Sequence, residues 1–300
     1  MVRTRSLPRP LKRGLILVAA IAITGAALIT ALSLLTGHGL HLRSFVRSLP
    51  ELIAAVTQRG AVVAGTRGDY RNIVFLHHSV GGNLINQGGV RETFAAAGYQ
   101  FWDHDYNYLG LRDPQAKYTG YSYRVPSDNT DPDGLLAIFQ QPVYELPVNT
   151  LSGLLQHEVI IFKSCYPASD IVSDEQLRQR QDWYLQMRAV MDQHPDKIFV
   201  ALTPPPLNPA ETRADIAARA RAFADWLASD AYTAGHPNVF VFDLFGALAE
   251  DDPAAPDFNM LRAAYRDGPD SHPNRAANEA IGPQLAAFVI ASIEHYRASR

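Results

Sequence analysis

A chain of 300 residues that is 47% hydrophobic, with 20 Gly and 20 Pro, holds enough apolar material for one large domain and lacks the composition of a disordered polymer. Its single cysteine, Cys165, excludes an intramolecular disulfide framework and any cysteine-based structural zinc cluster. The formal charge of −3 conceals an asymmetry. Residues 1–37 hold five of the 27 Lys and Arg and no acid, while the rest carries 22 basic against 30 acidic side chains, a balance that argues against nucleic acid as the main partner.

In chain order, a basic N-terminus over residues 1–13 (Arg3, Arg5, Arg9, Lys12, Arg13) precedes residues 14–37, which are 24 residues without a charge. That run exceeds the ~20 residues a helix needs to cross a bilayer, and it outlasts the ~7–15 of a cleaved signal's apolar region. It therefore predicts a transmembrane signal anchor. With Arg43 and Arg47 the nearest basic residues behind it, the excess of positive charge ahead keeps residues 1–13 in the cytoplasm. The remaining chain is then predicted on the extracytoplasmic side of the cytoplasmic membrane. Residues 38–68 read as a short amphipathic helix and a linker, and residues 69–300 as one domain.

Within that domain short β-rich runs alternate with helical periodicity, the pattern of an α/β fold with helices over a mostly parallel sheet. Five strands are predicted, at Asn72–His77, Tyr99–Trp102, Glu158–Lys163, Lys197–Leu202 and Asn238–Phe242. Helices are predicted at Gln176–Gln193, Pro209–Ser229 and Asn274–Ala298. Residues 103–150 form a long Tyr-, Asp-, Asn- and Pro-rich passage of weak periodicity, and loops of that length are usually functional.

In open α/β sheets ligands bind beyond the carboxyl ends of the strands. At the first such junction, FLHHSVGGNLI, Ser79 stands at a strand-to-helix turn, where a nucleophile's hydroxyl would project and its N–H would meet negative charge. Helix capping is the competing role for this serine. Near the other end of the chain, in RDGPDSHPN, His272 precedes a proline and the last helix, with Asp270 and Asp267 close by to orient its ring.

A serine directly after the first strand, combined with an Asp/His-Pro-Asn element before the final helix, resembles the SGNH (GDSL-type) hydrolase superfamily over roughly residues 70–298. The resemblance implies a flavodoxin-like, three-layer α/β/α domain. It further implies an esterase with Ser79 as nucleophile, His272 as general base and then acid, and Asp270 as orienting carboxylate. Asp267 is the alternative partner for the ring. Three motifs depart from the family: His77-His78-Ser79-Val80 replaces Gly-Asp-Ser-Leu/Ile, Asp270 lies two residues before His272 instead of three, and FKSCYPASD has no oxyanion Asn. The expected oxyanion donors are therefore the Ser79 and Gly110 backbone N–H groups, with the Asn107 amide or Ser164 and Lys163 as substitutes.

The expected activity is a membrane-anchored extracytoplasmic serine esterase, acting on small-molecule esters or acylated envelope glycans. An inactive saccharide-binding module and an acyltransferase with the same Ser and His are the alternatives. No cofactor is called for. Cys165 reads as a packing residue more readily than as a nucleophile. His77, His78, Asp103, His104 and Asp105 are possible metal donors, but alternation along a strand lets only one of the two adjacent histidines face a common site, so the expected metal set is none. For a sugar, Tyr118, Tyr121 and Tyr123 offer stacking and Asp128, Asn129 and Asp131 hydroxyl partners, although the same residues also suit ordinary turns.

Overall fold

Five apolar runs become the parallel strands of one sheet: β1 (Asn72–Leu76), β2 (Gln100–His104), β4 (Val159–Lys163), β5 (Ile198–Leu202) and β6 (Val239–Phe242). Buried on both faces, strands of such a sheet read as continuous hydrophobic runs, as NIVFL and VIIFK do. A sixth strand, β3 (Leu111–Arg112), pairs antiparallel with β2 and completes the order β3-β2-β1-β4-β5-β6. The computed structural model describes residue 18, residues 20–31, residue 53, residues 67–126 and residues 131–300.

The fold is thus mixed α/β with six strands instead of the expected five. Two residues are too few to show a period, so β3 leaves no signal in the sequence. Within its described residues the passage 103–150 contains β3 and the helix α4 (Pro132–Phe139), and α5 (Thr150–Leu154) begins at its end.

Helices pack on both faces of the sheet. One face sets Val74, Leu76, Ile160, Phe162 and Phe199 against α4, α6 (Asp174–Met191) and α7 (Ala214–Leu227), through Phe139, Tyr184, Met187 and Phe223. On the other, Ile73, Phe75, Ile161 and Val200 meet α2 (Ser79–Gln87), α3 (Val90–Ala96) and α10 (Arg275–Ala298), through Leu84, Phe94, Ile281 and Val289. Short helices α8 (Asp230–Thr233) and α9 (Leu244–Leu248) complete the set. Where α2 ends and α10 passes, Gly88 and Gly282 approach backbone to backbone, and a Cβ on either would overlap the other's main chain.

Of the span expected at residues 14–37, residue 18 and the apolar helix α1 (Ala20–Ala31) are described; the rest, like residues 1–13 and most of the linker, lies outside the described residues. Among the described residues, α10 is the one helix long and apolar enough to cross a bilayer. Half of its most apolar window is buried in the domain, which marks it as a core helix.

Candidate active site

β1 ends at Leu76, and α2 begins three residues later. Ser79 is the first residue of that helix, following His78 in an extended conformation with no side-chain cap. The first backbone hydrogen bond of the helix runs from Gly82 N–H to the His78 carbonyl at 2.8 Å. The N–H groups ahead of it, including that of Ser79, point out of the helix end, where the macrodipole favours negative charge.

Opposite, the 267–272 loop is held from below. Ser271 is fully buried; its Oγ accepts from Asn208 N–H at 2.8 Å and donates to the Glu211 carboxylate. The Asn208 amide donates to the carbonyls of Gly268 and Asp270 at 2.8 and 2.9 Å. Asn274 then caps α10 by accepting from Ala277 N–H. Fixed at both ends, His272 sets Nε2 at 2.8 Å from Ser79 Oγ and Nδ1 at 3.1 Å from Asp270 Oδ1. Assigned from these partners, Nδ1 carries the proton and donates to the carboxylate, while Nε2 accepts from the hydroxyl.

Asp270 also accepts the His272 backbone N–H at 2.6 Å, which is the chief cause holding its carboxyl below the usual range. Asp267 lies elsewhere, accepting from the Asn274 amide at 3.0 Å. The Tyr166 ring meets the His272 imidazole edge-on, with centroids 5.1 Å apart. Beside the histidine opens a cleft of about 390 Å³ with a polar wall that includes Gln87, Asp267, Asn274 and Arg275.

Beneath α2 lies a second histidine–carboxylate pair. His77 is fully buried, with Nδ1 at 2.8 Å from the His78 carbonyl and Nε2 at 3.0 Å from Asp103 Oδ2. Asp103, also fully buried, is clamped by Arg91 and by Arg112, whose Nε lies 2.7 Å away. Burial pulls the His77 pKa down to about 4. Both ring nitrogens nevertheless face acceptor oxygens, the His78 carbonyl at Nδ1 and the arginine-clamped Asp103 carboxylate at Nε2. A Cβ on Gly81 would overlap the His77 side chain, which is why the first turn of α2 carries glycine there.

Three of the expected oxyanion donors are bonded elsewhere in the structure, and a fourth, Lys163, is buried. The Gly110 N–H is spent inside its own turn, donating to the Tyr106 carbonyl at 2.9 Å. The Asn107 side chain bonds both backbone groups of Val125 at 2.9 Å, pinning the 105–125 loop. Ser164 is fully buried and its Oγ meets Tyr184 OH at 3.2 Å. Lys163 is fully buried as well, with no hydrogen-bond partner at Nζ among the described residues, and burial lowers its pKa. Of the expected donors, the Ser79 N–H is the one at the open N-terminus of α2.

The other candidates separate. Cys165 is buried at the start of a 3-10 turn (Tyr166–Ser169), and both nitrogens of His272 are already engaged by Ser79 and Asp270. The adjacent histidines do face apart, His77 toward α2 and His78 onto the Tyr106 ring at 4.5 Å. His104 bonds Ser122, and Asp105 lies near Arg112 at 3.9 Å. Among the described residues no group of three or more His, Cys, Asp or Glu could hold a metal ion. Tyr121 and Tyr123 are buried, with hydroxyls on the Pro147 and Gly153 carbonyls, so neither can stack on a ligand; Tyr118 is half-exposed under Arg112. Asp131 is the N-cap residue of α4, and Asp128 and Asn129 lie outside the described residues. Sequence reasoning missed Tyr106 and Tyr108, stacked 5.7 Å apart outward from His78, with Tyr108 77% exposed.

No protein-family model and no curated protein matches the chain. Two solved structures superpose on it loosely. One, "a putative acylhydrolase" from Bacteroides fragilis, is 11% identical over 79% of this chain and 94% of its own, with a TM-score of 0.46. The other, "a putative platelet activating factor" from Streptococcus pneumonia, is 13% identical over 80% and 92%, with a TM-score of 0.44. At such values neither neighbour carries an argument about activity.

Proposed function

We propose that the chain is an ester-cleaving serine hydrolase, a divergent relative of the SGNH (GDSL-type) hydrolases. The observation that carries this reading is the Ser79–His272–Asp270 relay, with its 2.8 and 3.1 Å contacts, at the open N-terminus of α2. His272 Nε2 takes the Ser79 proton as Oγ attacks the ester carbonyl, and the carbonyl oxygen gains negative charge facing the Ser79 N–H. The imidazolium, steadied by Asp270, then protonates the leaving alkoxide. Water then attacks the acyl-enzyme as His272 Nε2 takes its proton, and the imidazolium returns that proton to Ser79 Oγ as the C–O bond breaks, freeing the acid and restoring Ser79.

For the substrate we propose an acylated glycan. The polar cleft beside His272 suits a hydroxyl-rich leaving group, and the exposed Tyr108 offers a flat ring for a sugar. We further propose that residues 14–37 anchor the protein with residues 69–300 outside the cytoplasmic membrane, on the uncharged run and the basic residues before it.

The test uses the full chain in detergent, treated with a fluorophosphonate probe and assayed on p-nitrophenyl esters and acetylated oligosaccharides. Labelling of Ser79 with ester turnover is the expected result; a folded protein that is neither labelled nor active overturns the hydrolase. Protease added to cells with an opened outer layer is expected to digest the body and spare residues 1–13, and complete protection of the body overturns the topology.

A further inference from the structure

The peptide joining His78 to Ser79 is trans, so its carbonyl and its N–H point in opposite directions. The carbonyl is held twice, by the Gly82 N–H and by His77 Nδ1, each at 2.8 Å. His77 is in turn fixed by Asp103, Asp103 by Arg91 and Arg112, and all four side chains are wholly or nearly buried. The ring lies directly under the first turn of α2, against Gly81 and Gly82.

We propose that His77 is a positioning residue for ester cleavage. Its Nδ1–H holds the His78 carbonyl down, and the rigid peptide plane thereby aims the Ser79 N–H at the developing oxyanion. This rests on the serine-hydrolase reading. It adds that the Asp103–His77 pair, which touches no substrate, sets the direction of the donor that does. The pair does the work of orientation that a side-chain cap at His78 does not supply.

Two substitutions separate the halves of the ring. In His77→Asn the amide Nδ2 can replace Nδ1 as donor to the His78 carbonyl while contact with Asp103 is lost; in His77→Gln the longer amide can reach Asp103 while the carbonyl loses its donor. Removing one oxyanion donor typically costs ~10²–10³ in rate. His77→Gln is therefore expected to lower kcat on a p-nitrophenyl ester by about 10²-fold with KM unchanged, and to weaken a trifluoromethyl ketone, whose Ser79 adduct carries the oxyanion, by a similar factor. His77→Asn is expected to stay within about tenfold of wild type in both. Equal losses in the two variants, or wild-type kcat in folded His77→Gln, overturn the proposal. If neither variant folds, nitrogen NMR of the wild-type protein decides: a proton on His77 Nδ1 is expected, and a bare Nδ1 overturns it. Absence of Ser79 labelling in the wild type instead overturns the hydrolase reading, and this proposal with it.

Discussion

Two histidine–carboxylate pairs meet at Ser79, and they share chemistry while differing in almost everything else. His272 and Asp270 are 34% and 67% exposed, on a loop; His77 and Asp103 are both fully buried, at and just beyond strand ends. The exposed pair has room to move a proton and exchange it with solvent. The buried pair has two arginines and no water-facing edge, so its charges are fixed in place. A side chain that must change protonation every turnover belongs at the surface of the crevice, and one that must keep a peptide plane still belongs beneath it.

The largest effects are expected at the exposed pair's contact with the nucleophile. Ser79→Ala and His272→Ala are each expected to lower kcat by about 10⁴-fold or more, with the double variant little worse than either, because members of a relay act as a unit. Additive losses in steady-state assays break the idea that the two act together. Asp103→Asn is expected to remove about 3–5 kcal/mol of stability in denaturant melts, since two nearly buried guanidiniums lose their partner. Asp270→Asn is expected to leave the melt within about 0.5 kcal/mol of wild type. Equal stability losses would erase the distinction between the pairs.

Acid sharpens the same contrast. Burial lowers the pKa of His78, His104 and His157 to about 3, so these rings stay neutral in the fold while the unfolded chain protonates them below about 6.5. The contribution of these rings to stability is expected to be flat above that pH and to fall as pH drops from 6.5 toward 3, by about 1.4 kcal/mol per pH unit for each such proton. Asp270 works in a lower window: its depressed pKa stabilises the fold above the ordinary carboxylate range, a contribution lost as pH falls through it. Calorimetry across pH reads both.

The smallest effects concern ring orientation. Asp270→Asn is expected to lower kcat by about 10–10²-fold, because water can partly replace an exposed carboxylate, and Asp267→Asn to leave it near wild type. The reverse order would move the orienting role to Asp267.

Much of this was legible in the sequence, for identifiable reasons. Runs such as VIIFK need no tertiary information to read as buried strands, and Ser79 and His272 announce themselves by standing at strand and helix junctions. The oxyanion donors did not, because a loop's own backbone competes for the same groups: Asn107 serves Val125, and the Gly110 N–H serves Tyr106. Tyr121 and Tyr123 were equally opaque, since an aromatic in an aperiodic stretch looks the same whether it faces a sugar or the core. For His77 a signal was present and unread. Glycines at positions 81 and 82, one helical turn after a histidine, mark a ring lying under the helix.

The glycine crossing of α2 and α10 has a mechanical consequence. Ser79 opens α2 nine residues before Gly88, and His272 stands ten residues before Gly282, so at 1.5 Å rise per residue the crossing lies roughly 14 Å along α2 from its first residue. The crossing thus ties α2, which carries Ser79, to α10, which begins three residues after His272. A methyl group wedged into the crossing, as in Gly282→Ala, would splay the two helices and open the 2.8 Å gap between Oγ and Nε2, although it touches neither residue. Fine adjustment of the Ser79–His272 contact is therefore within reach of residues at the crossing, more than two helical turns from Ser79.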